Sequence, residues 1–114
     1  MDRSEWAARP GRESLGKRLG KVAGQIRARD GHVCVYCGAG EAAPVRHHLD
    51  HLTPRSHGGA DVATNLVLAC RRCNTARQNL TLTQWSAYAA VKLGLTVSPR
   101  AIRAQARRRL PEVA

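Results

Sequence analysis

Four cysteines constrain this chain more than any other feature. They stand as two matching pairs, Cys34-x-x-Cys37 and Cys70-x-x-Cys73, separated by 32 residues. Two thiolates three positions apart on a tight turn can both reach one ion at ~2.3 Å, and two such knuckles complete a tetrahedron of sulfurs. A redox dithiol needs one Cys-x-x-Cys, not two. Disulfides are rare in the cytoplasm, where paired cysteines more often bind metal. The chain is expected to work there: no apolar run approaches the ~20 residues that span a bilayer, and the N-terminal MDRSEWAARPGRESLGKR lacks the apolar stretch of a signal peptide. The pattern predicts one Zn²⁺ held by Cys34, Cys37, Cys70 and Cys73. All four positions are filled by protein and none is open for a catalytic water, so this zinc is structural.

The rest of the chain explains why a staple is needed. Its 114 residues fit one domain with tails. It has no Phe, and aromatic residues make up 4%. Such a chain buries a thin core, which barely offsets the entropy of ordering it.

Periodicity supplies the elements. Leu15, Leu19, Val22, Ala23 and Ile26 follow helical spacing from Leu15 to Arg29, with Ser14 as a cap and Asp30-Gly31 as a stop. A short strand is predicted over Val45–Leu52 and a second over Leu66–Ala69, with Pro54 and Gly58-Gly59 marking the loop between them. A helix follows from Cys70 or Arg71 to about Asn79. Thr81-Leu82-Thr83-Gln84 fits a capping box that opens a helix running to Leu93 and closed by Gly94. Its apolar stripe is Trp85, Tyr88, Ala89 and Leu93. A last helix runs from Ser98-Pro99 to about Leu110, with Ile102, Ala106 and Leu110 on one side and Arg100, Arg103 and Arg107 on another. The expected organisation is a flexible arm over 1–13, a central domain over 14–94, and a basic C-terminal helix and tail over 95–114.

Charge points to the partner. Nineteen Lys and Arg against eight Asp and Glu give +11, and four thiolates plus one dication would lower that by only two. A surplus this large on so small a chain favours a polyanion, chiefly nucleic acid. Sixteen of the nineteen cations are Arg, whose planar fork grips phosphate in bidentate fashion. The alternatives are a basic surface that binds nothing and a membrane-surface protein.

The chemistry lies between the cysteine pairs. Four of the five histidines fall between positions 47 and 57, in His47-His48-Leu49-Asp50-His51-Leu52-Thr53-Pro54-Arg55-Ser56-His57-Gly58-Gly59. Asn65-Leu66 and Cys70-Arg71-Arg72-Cys73-Asn74 follow. Phosphodiester hydrolysis needs a base that takes a proton near neutral pH, which suits His. It also needs a divalent ion against the charge on phosphate and leaving oxygen. A carboxylate and a side-chain amide are hard oxygen ligands suited to Mg²⁺ or Mn²⁺, and Asp50 and Asn74 can supply them if strand and helix pack together.

These residues resemble the HNH endonuclease family. The resemblance runs from Cys34 to about Asn79, with Asp-His-x-x-Pro, Gly-Gly, Asn-Leu and Cys-x-x-Cys-Asn in the family's order. It implies an α+β fold with a small ββα-metal (His-Me finger) core, here stapled by a four-cysteine zinc site and flanked by N- and C-terminal helices. It further implies His51 as the general base, Asp50 and Asn74 as ligands of a catalytic Mg²⁺, Mn²⁺ or other divalent ion, and Asn65 as a brace for the loop that aims His51. The chain is then an H-N-N variant. The implied reaction is hydrolysis of DNA, double-stranded by expectation, leaving 5′-phosphate and 3′-hydroxyl ends. Small stand-alone members resemble those of phages, which suggests a bacterial or phage-infected cell and partners in genome packaging or restriction.

Several further residues are candidate nucleic-acid contacts: His48, His57 and Arg77 near the motif, and Arg100, Arg103 and Arg107 on the last helix. His47 and His32 read as surface or structural residues. The competing reading is a non-catalytic zinc-dependent module that binds DNA or RNA.

Overall fold

The computed structural model describes residues 15–111. The arm expected over 1–13 and the Ser14 cap lie outside the described residues. Helix α1 (Leu15–Asp30) leads to two antiparallel strands, β1 (His48–His51) and β2 (Leu66–Ala69). Helices α2 (Arg71–Arg77), α3 (Leu82–Leu93) and α4 (Pro99–Ala106) follow. No described helix is long and apolar enough to cross a membrane. The architecture is the α+β arrangement expected from the sequence, with β1, β2 and α2 at its centre.

Strand β2 is buried along its whole length because both faces of the sheet are covered. Successive strand side chains point to opposite faces. Leu66 and Leu68 meet Ile26 of α1, joined by Leu19, Val22 and Leu49. Val67 and Ala69 face the main core with Trp85, Leu82, Ala89, Val97, Ile102 and Ala106. This explains a continuous apolar run, Leu-Val-Leu-Ala, where a half-buried strand would alternate. The outer edge of β2 is also taken: the Val35 N–H donates to the Leu68 carbonyl at 2.9 Å. The other edge, that of β1, pairs with no further strand among the described residues.

Local signals set the element ends. Gly31 takes a left-handed φ of +87° and closes α1, donating to the Arg27 carbonyl at 2.8 Å. Thr81 and Gln84 form both bonds of the capping box, at 3.1 and 2.9 Å, and Gly94 ends α3 at φ +64°. Tyr88 is 40% exposed rather than part of the buried stripe, and it stacks on Trp85 from outside.

Two elements are shorter than predicted, each for a tertiary reason. Strand β1 begins at His48, not Val45, because the His47 N–H donates to the Glu41 carboxylate at 2.7 Å. Glu41 is itself gripped by Arg27 through both oxygens. Helix α4 stops at Ala106, not Leu110, and the Ala106 carbonyl accepts from the Arg29 guanidinium at 2.9 Å. A cationic side chain at a helix C-terminus satisfies carbonyls that the helix leaves open. Arg29 also donates to Ala63 and Leu66, so one side chain joins α1, β2, α4 and the loop before β2.

Trp85 is fully buried and meets Tyr36 edge-on, with ring centroids 5.4 Å apart. In so thin a core Trp85→Ala should cost ~3–5 kcal/mol. Urea unfolding of the zinc-loaded chain measures it, and a loss under ~1 kcal/mol would mean that the aromatic centre is not what holds the core.

Candidate active site and metal centre

The four cysteines converge. All are free thiols, and their sulfurs lie within 4.8 Å of one another. Cys37 and Cys70 are 3.7 Å apart, against a tetrahedral edge of about 3.8 Å for sulfurs ~2.3 Å from a central ion. Cys34 and Cys37 sit on a knuckle turned by Gly38 at φ +78°. Cys70 caps α2, its sulfur accepting from the Cys73 N–H at 3.5 Å. Burial pushes the Cys34 and Cys73 thiols up, and in Cys73 the charge on Cys34 adds to the shift. Thiolates so placed call for a cation, and a closed set of four soft donors fits Zn²⁺.

A second group of residues surrounds a cleft of about 230 Å³ along the free edge of β1, lined by Asp50, His51, Asn74, Arg55, Gln78 and Asn79 among others. Three of the four residues expected in the catalytic core therefore share one cavity. In the sheet register Asp50 pairs with Val67, so its side chain faces α2 rather than α1. Helix α2 begins on the cysteine cluster and carries Asn74 directly after Cys73. The fourth residue, Asn65, stands behind the cleft. Its Oδ1 accepts from the Thr53 N–H at 2.8 Å, and its Nδ2 donates to the carbonyls of Thr53 and Ala60. It closes the loop between the strands. Gly59 belongs to the same closure, because a Cβ there would lie 1.7 Å from the Thr53 carbonyl oxygen.

Arg77 corrects the sequence reading. Expected to touch phosphate, it is 0% exposed. Its guanidinium donates to Asp50 Oδ2 at 2.7 Å, the Tyr36 hydroxyl at 2.8 Å, and the carbonyls of His51, Leu52 and Leu80. Tyr36 donates its own proton to Asp50 Oδ2 at 2.5 Å. Burial, with the Asp50 charge adding, holds this phenol well above its usual range and keeps it a donor. Both bonds fall on Oδ2, so among the described residues Asp50 Oδ1 carries no hydrogen bond. Asp50 and Asn74 thus offer one free carboxylate oxygen and one amide oxygen at the cleft, a set that fits a hard divalent ion.

His51 has a partner that sequence reasoning missed. Its Nε2 lies 2.6 Å from Asp61 Oδ1, and Arg55 grips both oxygens of Asp61 at 2.9 and 3.0 Å. Arg55, then His51, holds the Asp61 carboxyl below its usual value. Tyr36 and Gln78 were missed as well. Gln78 ends α2 at φ +51°, ψ −131°, a region that residues with a Cβ rarely enter. Asp61 was findable as the carboxylate that follows the Gly pair, but nothing in periodicity aims it at His51.

The other candidates sit apart from the cleft. His48 is exposed on β1, and His57 is exposed on the turn Arg55–His57. On α4, Arg100 is exposed and Arg103 is half-buried, and Arg107, just past the helix end, is exposed.

Two outcomes follow for stability. Arg77→Met would strand the buried Asp50 charge and several carbonyls, and should cost ~3–5 kcal/mol. Chemical unfolding with zinc present measures this, and a change within ~0.5 kcal/mol would contradict a structural role. Cys34→Ser, or a strong chelator, should abolish zinc binding and helical circular dichroism together. A chelated chain that keeps its spectrum would refute zinc as the staple.

Comparison with protein families gives one match: residues 34–80 fit the family described as HNH endonuclease. Comparisons with curated proteins and with solved structures return no match.

Proposed function

We propose that this chain, whose residues 34–80 match the HNH endonuclease family, is a divalent-metal-dependent enzyme that hydrolyses phosphodiester bonds of double-stranded DNA. The observation that carries the reading is the shared cleft: Asp50, His51 and Asn74 line one cavity, apart from a four-sulfur site with its own metal preference. A purely structural zinc module has no use for that second group.

The roles follow from the chemistry of each residue. A Mg²⁺ or Mn²⁺ ion held by Asp50 Oδ1 and the Asn74 amide would neutralise charge on the phosphate and the leaving oxygen. His51 takes a proton from the attacking water, the step for which an imidazole is suited near neutral pH. Arg55 lines the cleft with its side chain half exposed, which places a bidentate donor where a phosphate would lie. Arg77 anchors Asp50 and the ends of β1, and Asn65 closes the loop. The exposed Arg100 and Arg107 add backbone contacts that carry no sequence information, so binding should weaken steeply with salt. Such a small enzyme suits a phage-type role in a bacterial or infected cell, with packaging or restriction proteins as partners.

Plasmid cleavage tests the reading. The wild type should nick supercoiled DNA with Mg²⁺ or Mn²⁺, and His51→Ala should cut about 10²–10⁴-fold more slowly. A wild type that binds DNA but leaves it intact across several divalent ions would instead establish the non-catalytic module.

A further inference from the structure

We propose that Asp61 is a positioning residue for the general base: it holds His51 as the Nε2–H tautomer and so makes Nδ1 the atom that receives the proton from water. The inference rests on the nuclease reading for the word "base", but the contact stands on geometry alone. The His51 Nε2 to Asp61 Oδ1 distance is 2.6 Å. An ionised carboxylate only accepts hydrogen bonds, so a neutral His51 facing it must carry its proton on Nε2 and leave Nδ1 with its lone pair. The same device, a carboxylate fixing the tautomer and orientation of an imidazole, recurs wherever histidine must present one particular nitrogen.

Asp61 is itself fixed from two sides. Arg55 holds both of its oxygens, which keeps the group ionised. Asn65 holds the carbonyl of the preceding residue, Ala60, at 2.9 Å, so the backbone entering Asp61 cannot drift. At the other end the His51 carbonyl accepts from buried Arg77 at 2.8 Å. The ring is thus held at its backbone and at Nε2, with Nδ1 left to act. This gives the loop brace a specific object. Asn65 acts on His51 through Ala60 and Asp61, not by touching the ring.

The proton count closes. An O–H bond of water breaks and an Nδ1–H bond forms, giving an imidazolium that keeps its Nε2–H on Asp61. The electron pair left on the water oxygen makes the new bond to phosphorus. The P–O bond to the leaving oxygen breaks, and its pair departs with that oxygen.

The test uses the zinc-loaded full chain labelled with ¹⁵N at histidine, without added Mg²⁺ or Mn²⁺, at a pH where the ring is neutral. Long-range ¹H–¹⁵N correlation spectra should show His51 protonated at Nε2 in the wild type. Asp61→Asn can present an N–H to the ring, so the spectrum should shift toward the Nδ1–H form. In the plasmid assay its kcat should fall on the order of 10²-fold or more, with KM changed far less. Asp61→Ala, which removes the acceptor without offering a donor, should leave a mixture of tautomers and also lower kcat. Unchanged circular dichroism and zinc content would separate these effects from misfolding. A wild type already in the Nδ1–H form overturns the proposal, as does Asp61→Asn cutting at the wild-type rate. Either Asp61 variant cutting faster than wild type also overturns it, since the contact would then be a latch on the base. A wild type that cuts nothing sinks the nuclease reading instead, and the spectra alone then decide the tautomer.

Discussion

A guanidinium with no exposed surface lies where strand, helix and knuckle meet, and the rest of the site depends on how it is satisfied. Taking Arg77 out of water costs several kcal/mol unless each face of the group finds a partner. Here its two terminal nitrogens find a carboxylate, a phenol and three carbonyls, and only the buried Nε goes without a partner among the described residues. The carbonyls of His51 and Leu52 mark the end of β1, Tyr36 belongs to the first cysteine knuckle, and Arg77 itself ends α2. One side chain therefore fixes the relative position of the three pieces that carry the candidate chemistry. Asp50 feels it most. Its Oδ2 is committed to the core, and only Oδ1 is left to meet anything that enters the cleft.

The cysteine cluster and the cleft are coupled through the same short segments. Tyr36 stands between Cys34 and Cys37 and reaches Asp50. Asn74 follows Cys73 on α2. A metal in the sulfur site would hold the knuckle to the start of α2, and Arg77 holds the end of α2 to β1. The two ties sit at opposite ends of a seven-residue helix, which explains how so short an element can aim a side chain. The tether is mechanical. No ligand is shared between the two sites.

Much of this was legible in the sequence, for identifiable reasons. The cysteine spacing encodes a tetrahedron, the capping box at Thr81 encodes a helix start, and Pro54 with the Gly pair encodes a loop, for which the family resemblance implied Asn65 as the brace. These are local signals, and the structure follows them closely. The departures depend on distant residues. The start of β1 depends on Glu41, the end of α4 on Arg29, and the partner of His51 on a loop path set by Gly59 and Asn65. Arg77 was misread for another reason. Its place one turn beyond Asn74, near the motif, pointed to phosphate, whereas four residues beyond the buried Cys73 it shares that residue's helix face.

Strand β2 lies between two hydrophobic layers, and the largest apolar side chains of both come from outside the stretch that matches the family. Ile26 covers Leu66 and Leu68 from α1, while Trp85, Leu82 and Ile102 cover Val67 and Ala69 from α3 and α4. The 34–80 stretch is thus inheritable as a unit of sequence without being a unit of folding. Moved into another chain, it would bring the cysteine cluster and the cleft residues Asp50, His51 and Asn74. Tyr36, Leu52 and Cys73 would cover part of one face of its central strand and Leu49 part of the other, and the host would have to complete both apolar covers with side chains of matching shape. Flanking regions with no recognisable motif are therefore free to differ in sequence among hosts, but not free to be absent.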